Sequence, residues 1–211
     1  MPYRVLIVED QMMPRQLLEI FIASSEHYTL AASISNAALA IKFCRSQKID
    51  LILMDVMTEF SASGLVASAE IKKEFPDIRI IIVTSMPEAT WLDHARKIGV
   101  DSFWYKEVES SPILDVMDRT MVGEHVYPDS PPPVRIGLVD STEFTDREIE
   151  ILRELQTGDS NTEIAGRLGI SAETVKSHIK SLLQKTGFHT RTELAMESRT
   201  LGIVIKINSA T

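Results

Sequence analysis

Apolar positions in the first part of the chain keep two rhythms. Runs at Arg4–Val8, Thr29–Ile34, Leu51–Met54, Ile78–Val83 and Ser102–Tyr105 are short and rich in β-branched or aromatic residues, whereas the segments between them repeat apolar residues at helical spacing. The alternation predicts five strands and five helices. Met13, Leu17, Ile20 and Phe21 give the first helix an apolar face, and Ile113, Leu114, Met117 and Met121 give the fifth one. Strands and helices alternating in this way wind right-handed into an α/β doubly wound, five-stranded parallel sheet.

The rhythm stops at Gly123. From there to Thr142 the chain carries Pro128 and the run Pro131-Pro132-Pro133, which neither continue a helix nor pair inside a sheet. Residues 123–141 therefore read as a semi-rigid, extended linker between a domain at 1–122 and another at 142–211. Beyond the linker the spacing is helical throughout, predicting an all-α domain of four helices. Thr145 with Glu148, and Ser160 with Glu163, fit the capping box, in which a hydroxyl and a carboxylate satisfy free backbone donors at a helix start. Ser171 is a third N-cap.

The stretch NTEIAGRLGISAETVKSHIKSLLQKTG reads as a short helix, a tight turn at Gly169-Ile170, and a second helix from Ala172 to Lys185, a helix-turn-helix layout. Val175, Ile179, Leu182 and Leu183 fall on one face of the second helix. Glu173, Ser177, Lys180 and Gln184 fall on the other, with Lys176 and His178 flanking. A polar face of this kind suits either a solvated bundle helix or one that enters the DNA major groove, where Lys reaches guanine acceptors or phosphates. The turn spacing, and the small Ala165 that allows close helix approach, favour DNA.

Four strands of the first domain end on polar signals: Glu9-Asp10 after YRVLIV, Asp55 after DLILM, Thr84-Ser85 after IRIIIV, and Lys106 after SFWY. In a parallel α/β sheet these converge on the edge where ligands bind. Three carboxylates, a hydroxyl and a lysine there make a site for a divalent cation and a phosphoryl group.

Composition narrows the setting. A content of 44% hydrophobic and 25% charged residues is ordinary for soluble globular protein, and no apolar run approaches the roughly 20 residues that span a bilayer. A cytoplasmic protein with no membrane partner is expected. The single cysteine, Cys44, excludes an intrachain disulfide and packs as a small hydrophobe. Residues 1–140 hold 13 Lys+Arg against 20 Asp+Glu, a net −7, and residues 141–211 hold 9 against 10, a net −1. Within the latter, Lys176, Lys180, Lys185 and Arg191 face only Glu173 between positions 173 and 191, so a positive stripe exists despite the acidic total.

Both halves resemble one architecture: a two-component response regulator of the NarL/FixJ type, with a flavodoxin-like receiver domain followed by a LuxR-like helix-turn-helix. VLIVED, LILMD, IIIVTS and the lysine after SFWY resemble the receiver pattern, and TDREIEIL with EIAGRLGISAETVKSHI resembles the LuxR-type signature. The resemblance implies that Asp55 accepts a phosphoryl group from a sensor histidine kinase. It implies Mg²⁺ held by Glu9, Asp10, Asp55 and the Met57 carbonyl, with Thr84 and Lys106 binding the phosphoryl oxygens and Phe103 as a switch aromatic. On the polar side of the second helix of the helix-turn-helix, Lys176, Ser177 and Lys180 are the expected DNA contacts, with His178 and Arg191 as weaker candidates for phosphate oxygens. A homodimer would place two such helices in successive major-groove turns of double-stranded DNA, so an inverted-repeat operator is expected.

After Asp55 the family commonly shows a methionine-proline turn, whereas this chain reads Val56-Met57-Thr58-Glu59-Phe60-Ser61-Ala62-Ser63-Gly64, with Glu59 as an added carboxylate near the pocket. By resemblance Met57 and Met86 influence water access, which implies a long-lived phosphoryl state. The altered loop also keeps open an atypical regulator that binds DNA or a protein partner without phosphorylation. A magnesium phosphatase resembling haloacid dehalogenases would need a second aspartate two residues after the first, where Met57 stands, so a regulator rather than an enzyme is expected.

Overall fold

The computed structural model describes residues 1–85, 87, 89–106 and 112–201. Two compact units divide the chain, the first holding Met1–Ser85 and Ala89–Ser130, the second the chain from Pro131 onward. In the first unit β1 (Tyr3–Val8), β2 (Tyr28–Ile34), β3 (Leu51–Met54), β4 (Arg79–Thr84) and β5 (Ser102–Tyr105) pair in parallel in the order β2-β1-β3-β4-β5. Between them run α1 (Met12–Ala23), α2 (Ala40–Ser46), α3 (Gly64–Glu74) and α4 (Ala89–Lys97), with α5 (Ile113–Met121) after β5. Central strands such as LILM are buried on both faces, as a sheet covered by helices on each side requires. The order changes direction at β1 and β3, so the C-terminal ends of these two strands flank the crevice where such sheets bind ligands.

Helix α1 differs from its expected packing. Leu18 and Ile22 are buried against the sheet, while Met13 is 79% exposed and Leu17 and Ile20 are also exposed. The helix is apolar over more than one face, and the sheet takes the stripe one residue on from that predicted. Helix α5 packs as expected through Ile113 and Met117.

The loop after Asp55 is a short antiparallel hairpin in which Met57 pairs with Ser63 and Thr58 with Ala62. At its tip Phe60 (φ 59°) and Ser61 (φ 57°) adopt left-handed backbone, a costly conformation for a bulky residue, and Phe60 is 91% exposed. The hairpin is tied down by the Ala37 N–H donating to Thr58 Oγ1 (2.9 Å) and by Ser35 Oγ donating to Glu59 Oε2 (2.7 Å).

The segment expected as linker holds more structure than its prolines suggest. Residues 125–128 bond along β5, and farther on Arg135–Ile136 and Val139–Asp140 form an antiparallel ladder whose Ile136 is fully buried in the second core. In the second unit α6 (Asp146–Leu155), α7 (Asn161–Leu168), α8 (Ala172–Thr186) and α9 (Arg191–Thr200) enclose Ile151, Leu152, Ile164, Val175, Leu182 and Leu194. Thr145/Glu148 and Ser160/Glu163 form reciprocal capping boxes, and Ser171 caps α8 by accepting from the Thr174 N–H at 3.0 Å. Among the described residues no helix is long and apolar enough to cross a membrane.

Candidate functional site

In the first unit the C-terminal ends of β1, β3, β4 and β5 bring Glu9, Asp10, Asp55, Thr84 and Lys106 to one edge. Glu9, Asp10 and Asp55 each offer a carboxylate oxygen within 4.8 Å of the others. Glu9 and Asp55 are buried, and Lys106 Nζ lies between them, bonded to Glu9 Oε2 and 3.0 Å from Asp55 Oδ2. The second oxygens are also held, Glu9 Oε1 by the Gln11 N–H (3.0 Å) and Asp55 Oδ1 by the Val56 N–H (2.7 Å).

Burial pushes the Asp55 carboxyl up to about 7, with Glu9 adding to the rise and Lys106 opposing it. Burial alone would depress the Lys106 ammonium, but the carboxylates of Asp55 and Glu9 overcome it and hold its pKa above the ordinary lysine value. Two buried carboxylates against one lysine leave an excess of negative charge, and the all-oxygen donor set suits a hard divalent cation.

Backbone contacts fix the frame. The Asp55 N–H donates to the Val8 carbonyl (2.9 Å) and the Lys106 N–H to the Thr84 carbonyl (3.0 Å), locking the strand ends together. A Cβ on Gly64 would overlap the Asp55 carbonyl oxygen and reach the Asp55 carbonyl carbon at 3.0 Å, so only glycine lets α3 start this close.

The remaining predicted residues are distributed unevenly. Thr84 is buried at the end of β4, and Met57 sits half-buried in the hairpin opposite Ser63. Phe103 is fully buried, its ring 5.1 Å from Tyr105 and 6.3 Å from Tyr127. Glu59 accepts from Ser35 Oγ and is not one of the three carboxylates that lie within 4.8 Å of one another. Met86 lies outside the described residues.

In the second unit α7 is capped at its C-terminus by Gly169 (φ +65°), whose left-handed backbone makes the turn, and α8 starts three residues later at Ala172. Val175, Ile179 and Leu182 pack inward while Lys176, Ser177 and Lys180 are exposed, with Thr174, Ser181 and Gln184 also exposed along α8. His178 is half-buried. Arg191 is tied to the start of α7, donating to Asn161 Oδ1 (3.2 Å) and the Asp159 carbonyl (2.7 Å).

The family described as response regulator receiver domain matches residues 5–118, and that described as bacterial regulatory proteins, luxR family, matches residues 142–198. The chain belongs to the response regulators of the luxR family. This response regulator is 33% identical over 198 residues to the response regulator protein VraR of Staphylococcus epidermidis, covering 92% of the chain and 94% of that relative. It is 32% identical over the same length to VraR of Staphylococcus aureus. Solved structures of similar fold include two RcsB dimers bound to two parallel DNAs, with TM-score 0.62 and 19% identity over 95% of this chain and 100% of that one. Another is RcsB from Salmonella enterica serovar Typhimurium bound to promoter rprA with the phosphomimetic BeF3−, with TM-score 0.60 and 20% identity over 92% and 97%.

Proposed function

We propose that this response regulator accepts a phosphoryl group on Asp55 from a sensor histidine kinase and binds double-stranded DNA through α8 to control transcription in the cytoplasm. The observation that carries the reading is Lys106 lodged between Asp55 and Glu9 at the crevice of the sheet. An Asp55 oxygen forms the new P–O bond as the P–N bond of the donor phosphohistidine breaks, its electron pair leaving on the imidazole. Lys106 then exchanges its carboxylate partner for a phosphoryl oxygen, and the Thr84 hydroxyl donates to another. Phe103, buried on β5, follows the change at Thr84 and Lys106.

Glu9, Asp10 and Asp55 would hold Mg²⁺, with the Met57 carbonyl as a further oxygen donor. When bound, the ion supplies positive charge against which carboxylates and phosphoryl oxygens can approach. The exposed apolar face of α1, with Met13 and Leu17 beside a groove of about 470 Å³ that reaches Lys106, suits the docking of the kinase.

In the second unit Lys176, Ser177 and Lys180 face solvent together and are the proposed DNA contacts, while His178 offers a weaker one. Arg191 would reach phosphate only beside the bonds it already makes. The DNA-bound RcsB dimers share this fold, and a homodimer of this chain would set two α8 helices in successive major-groove turns of an inverted repeat.

Incubation with acetyl phosphate and Mg²⁺ followed by intact mass measurement tests the reading. One added phosphoryl group on the wild type and none on Asp55→Asn is the expected result. The left-handed Phe60 hairpin in place of the family's turn favours a second reading, in which DNA is bound without phosphorylation. No mass gain on either protein, with DNA binding intact, would select it.

A further inference from the structure

Strand β5 is the last in the sheet and pairs only with β4, so its outer edge is open to another partner. Residues 125–128, on the path from α5 to the second unit, occupy that edge. The Phe103 N–H donates to the Val126 carbonyl (2.8 Å), and the Val126 N–H donates to Ser102 Oγ (3.0 Å). His125 Nδ1 lies 2.9 Å from the Asp101 carbonyl, and the Tyr127 hydroxyl donates to the Val100 carbonyl (2.8 Å). Arg96 of α4 clasps the end, with its guanidinium 4.9 Å from the Tyr127 ring centre and Nη2 donating to the Pro128 carbonyl (3.3 Å). Tyr127 also ends a row of rings that runs Tyr105, Phe103, Tyr127, and Tyr105 precedes Lys106.

This attachment sets how much chain lies free between the units. With the strap on β5, residues 129–133 separate Pro128 from Val134, whose N–H donates to Ser141 Oγ in the second unit. Five extended residues span about 16 Å, whereas release back to Glu124, whose N–H bonds the Arg119 carbonyl of α5, frees residues 125–133, about 28 Å. Val126 packs against the first core and Tyr127 is half-buried beside Phe103, so detachment exposes these two side chains and exchanges the strap's hydrogen bonds for water, while β5 stays paired with β4.

We propose that residues 125–128 form a detachable strap that holds the tether to the output domain short, and that rearrangement of the Phe103–Tyr127 contact on phosphorylation releases it to the longer reach. Its trigger rests on reading Asp55 as the phosphoacceptor. A longer tether widens the positions the helix-turn-helix can take beside a second copy on DNA.

Amide exchange at Phe103 and Val126 reports docking directly, since their N–H groups make the two bonds. On the full chain with acetyl phosphate and Mg²⁺, a phosphoryl mass gain should come with at least about tenfold faster exchange at both amides. The rotational correlation time of the α7–α8 amides, from ¹⁵N relaxation, should shorten. Tyr127→Ala, and the milder Arg96→Ala, should produce both changes without the phosphodonor. Phosphoryl mass on the protein with both amides still protected overturns the coupling, and faster exchange in the variants with unchanged tumbling overturns the control of tether length. An absent mass gain counts against the phosphoacceptor reading instead, and the two variants then decide the strap alone.

Discussion

Lys106 Nζ stands 3.0 Å from Asp55 Oδ2, joining the ends of two strands that are not neighbours in the sheet. The same ammonium pairs with Glu9, so its removal leaves two buried carboxylates facing each other. Lys106→Ala should lower the stability of the first unit by about 3 kcal/mol, the usual cost of breaking a buried ion pair. Urea unfolding with and without Mg²⁺ measures this. Recovery of part of the loss on adding the ion is expected if the three carboxylates bind it, and identical curves would argue against a cation site.

Gly64→Ala should be harmful for a different reason. The added methyl meets the Asp55 backbone and the Met54 side chain, and backbone cannot step aside as a flexible side chain can. A loss of about 2 kcal/mol or more is expected, with reduced phosphoryl uptake even in the fraction that folds. A variant of wild-type stability and uptake would show that α3 can start farther from Asp55.

Asp101 tests stability separately from the site. It is buried before β5, with Lys72 Nζ at 2.6 Å, Arg79 Nη1 at 2.8 Å and the Ile80 N–H at 2.8 Å, at the sheet edge opposite the carboxylate cluster. Asp101→Ala should cost about 3 kcal/mol by leaving two cations without their shared partner. Phosphoryl uptake by the folded protein should be unchanged, and its loss would mean that the two edges are coupled.

The sheet and the carboxylate cluster were legible because both rest on short-range pattern: β-branched runs mark strands, and the residue after each run falls at the same edge. Asp101 was not legible, since its partners Lys72 and Arg79 are distant in sequence and ordinary surface charges in kind. The exposure of Met13 and Leu17 escaped because α1 is apolar around much of its circumference, and periodicity cannot say which stripe the sheet will choose. Nor do prolines reveal that the residues just before them bond to an open strand edge. The helix-turn-helix was read closely because its caps are local, with Ser160, Glu163, Gly169 and Ser171 each acting within a few residues of itself.

Glu148 gives the second unit a pH dependence. Its carboxylate is drawn into a buried position that opposes ionisation, yet the Thr145 N–H (2.9 Å) and Lys185 Nζ (2.9 Å) outweigh this and lower its pKa below the ordinary glutamate value. A group whose pKa is depressed by folding stabilises the fold above its unfolded pKa, about 4.3, and loses that contribution as pH falls through the lower folded value. Unfolding curves between pH 7 and pH 3 should show the second unit weakening at the acid end. Glu148→Gln should be less stable at pH 7 and show a shallower slope, and an equal slope in the variant would assign the acid sensitivity to other carboxylates.

Lys180 and Arg191 separate contact from scaffold in the positive stripe. Lys180 is exposed on α8 beyond the buried Ile179, whereas Arg191 spends its guanidinium on Asn161 and the Asp159 carbonyl. Each phosphate contact contributes about 0.9 to the slope of log affinity against log salt. Lys180→Ala should therefore weaken binding to duplex DNA and reduce that slope by about one unit, with the thermal stability of the second unit unchanged. Arg191→Ala should instead lower that stability, because it unties the start of α9 from α7, while any change in affinity follows the fraction folded. Binding titrations across a salt series, paired with thermal unfolding of both variants, distinguish the two roles. A full salt slope for Lys180→Ala would remove it from the interface, and a reduced slope with intact stability for Arg191→Ala would place that residue on the phosphates.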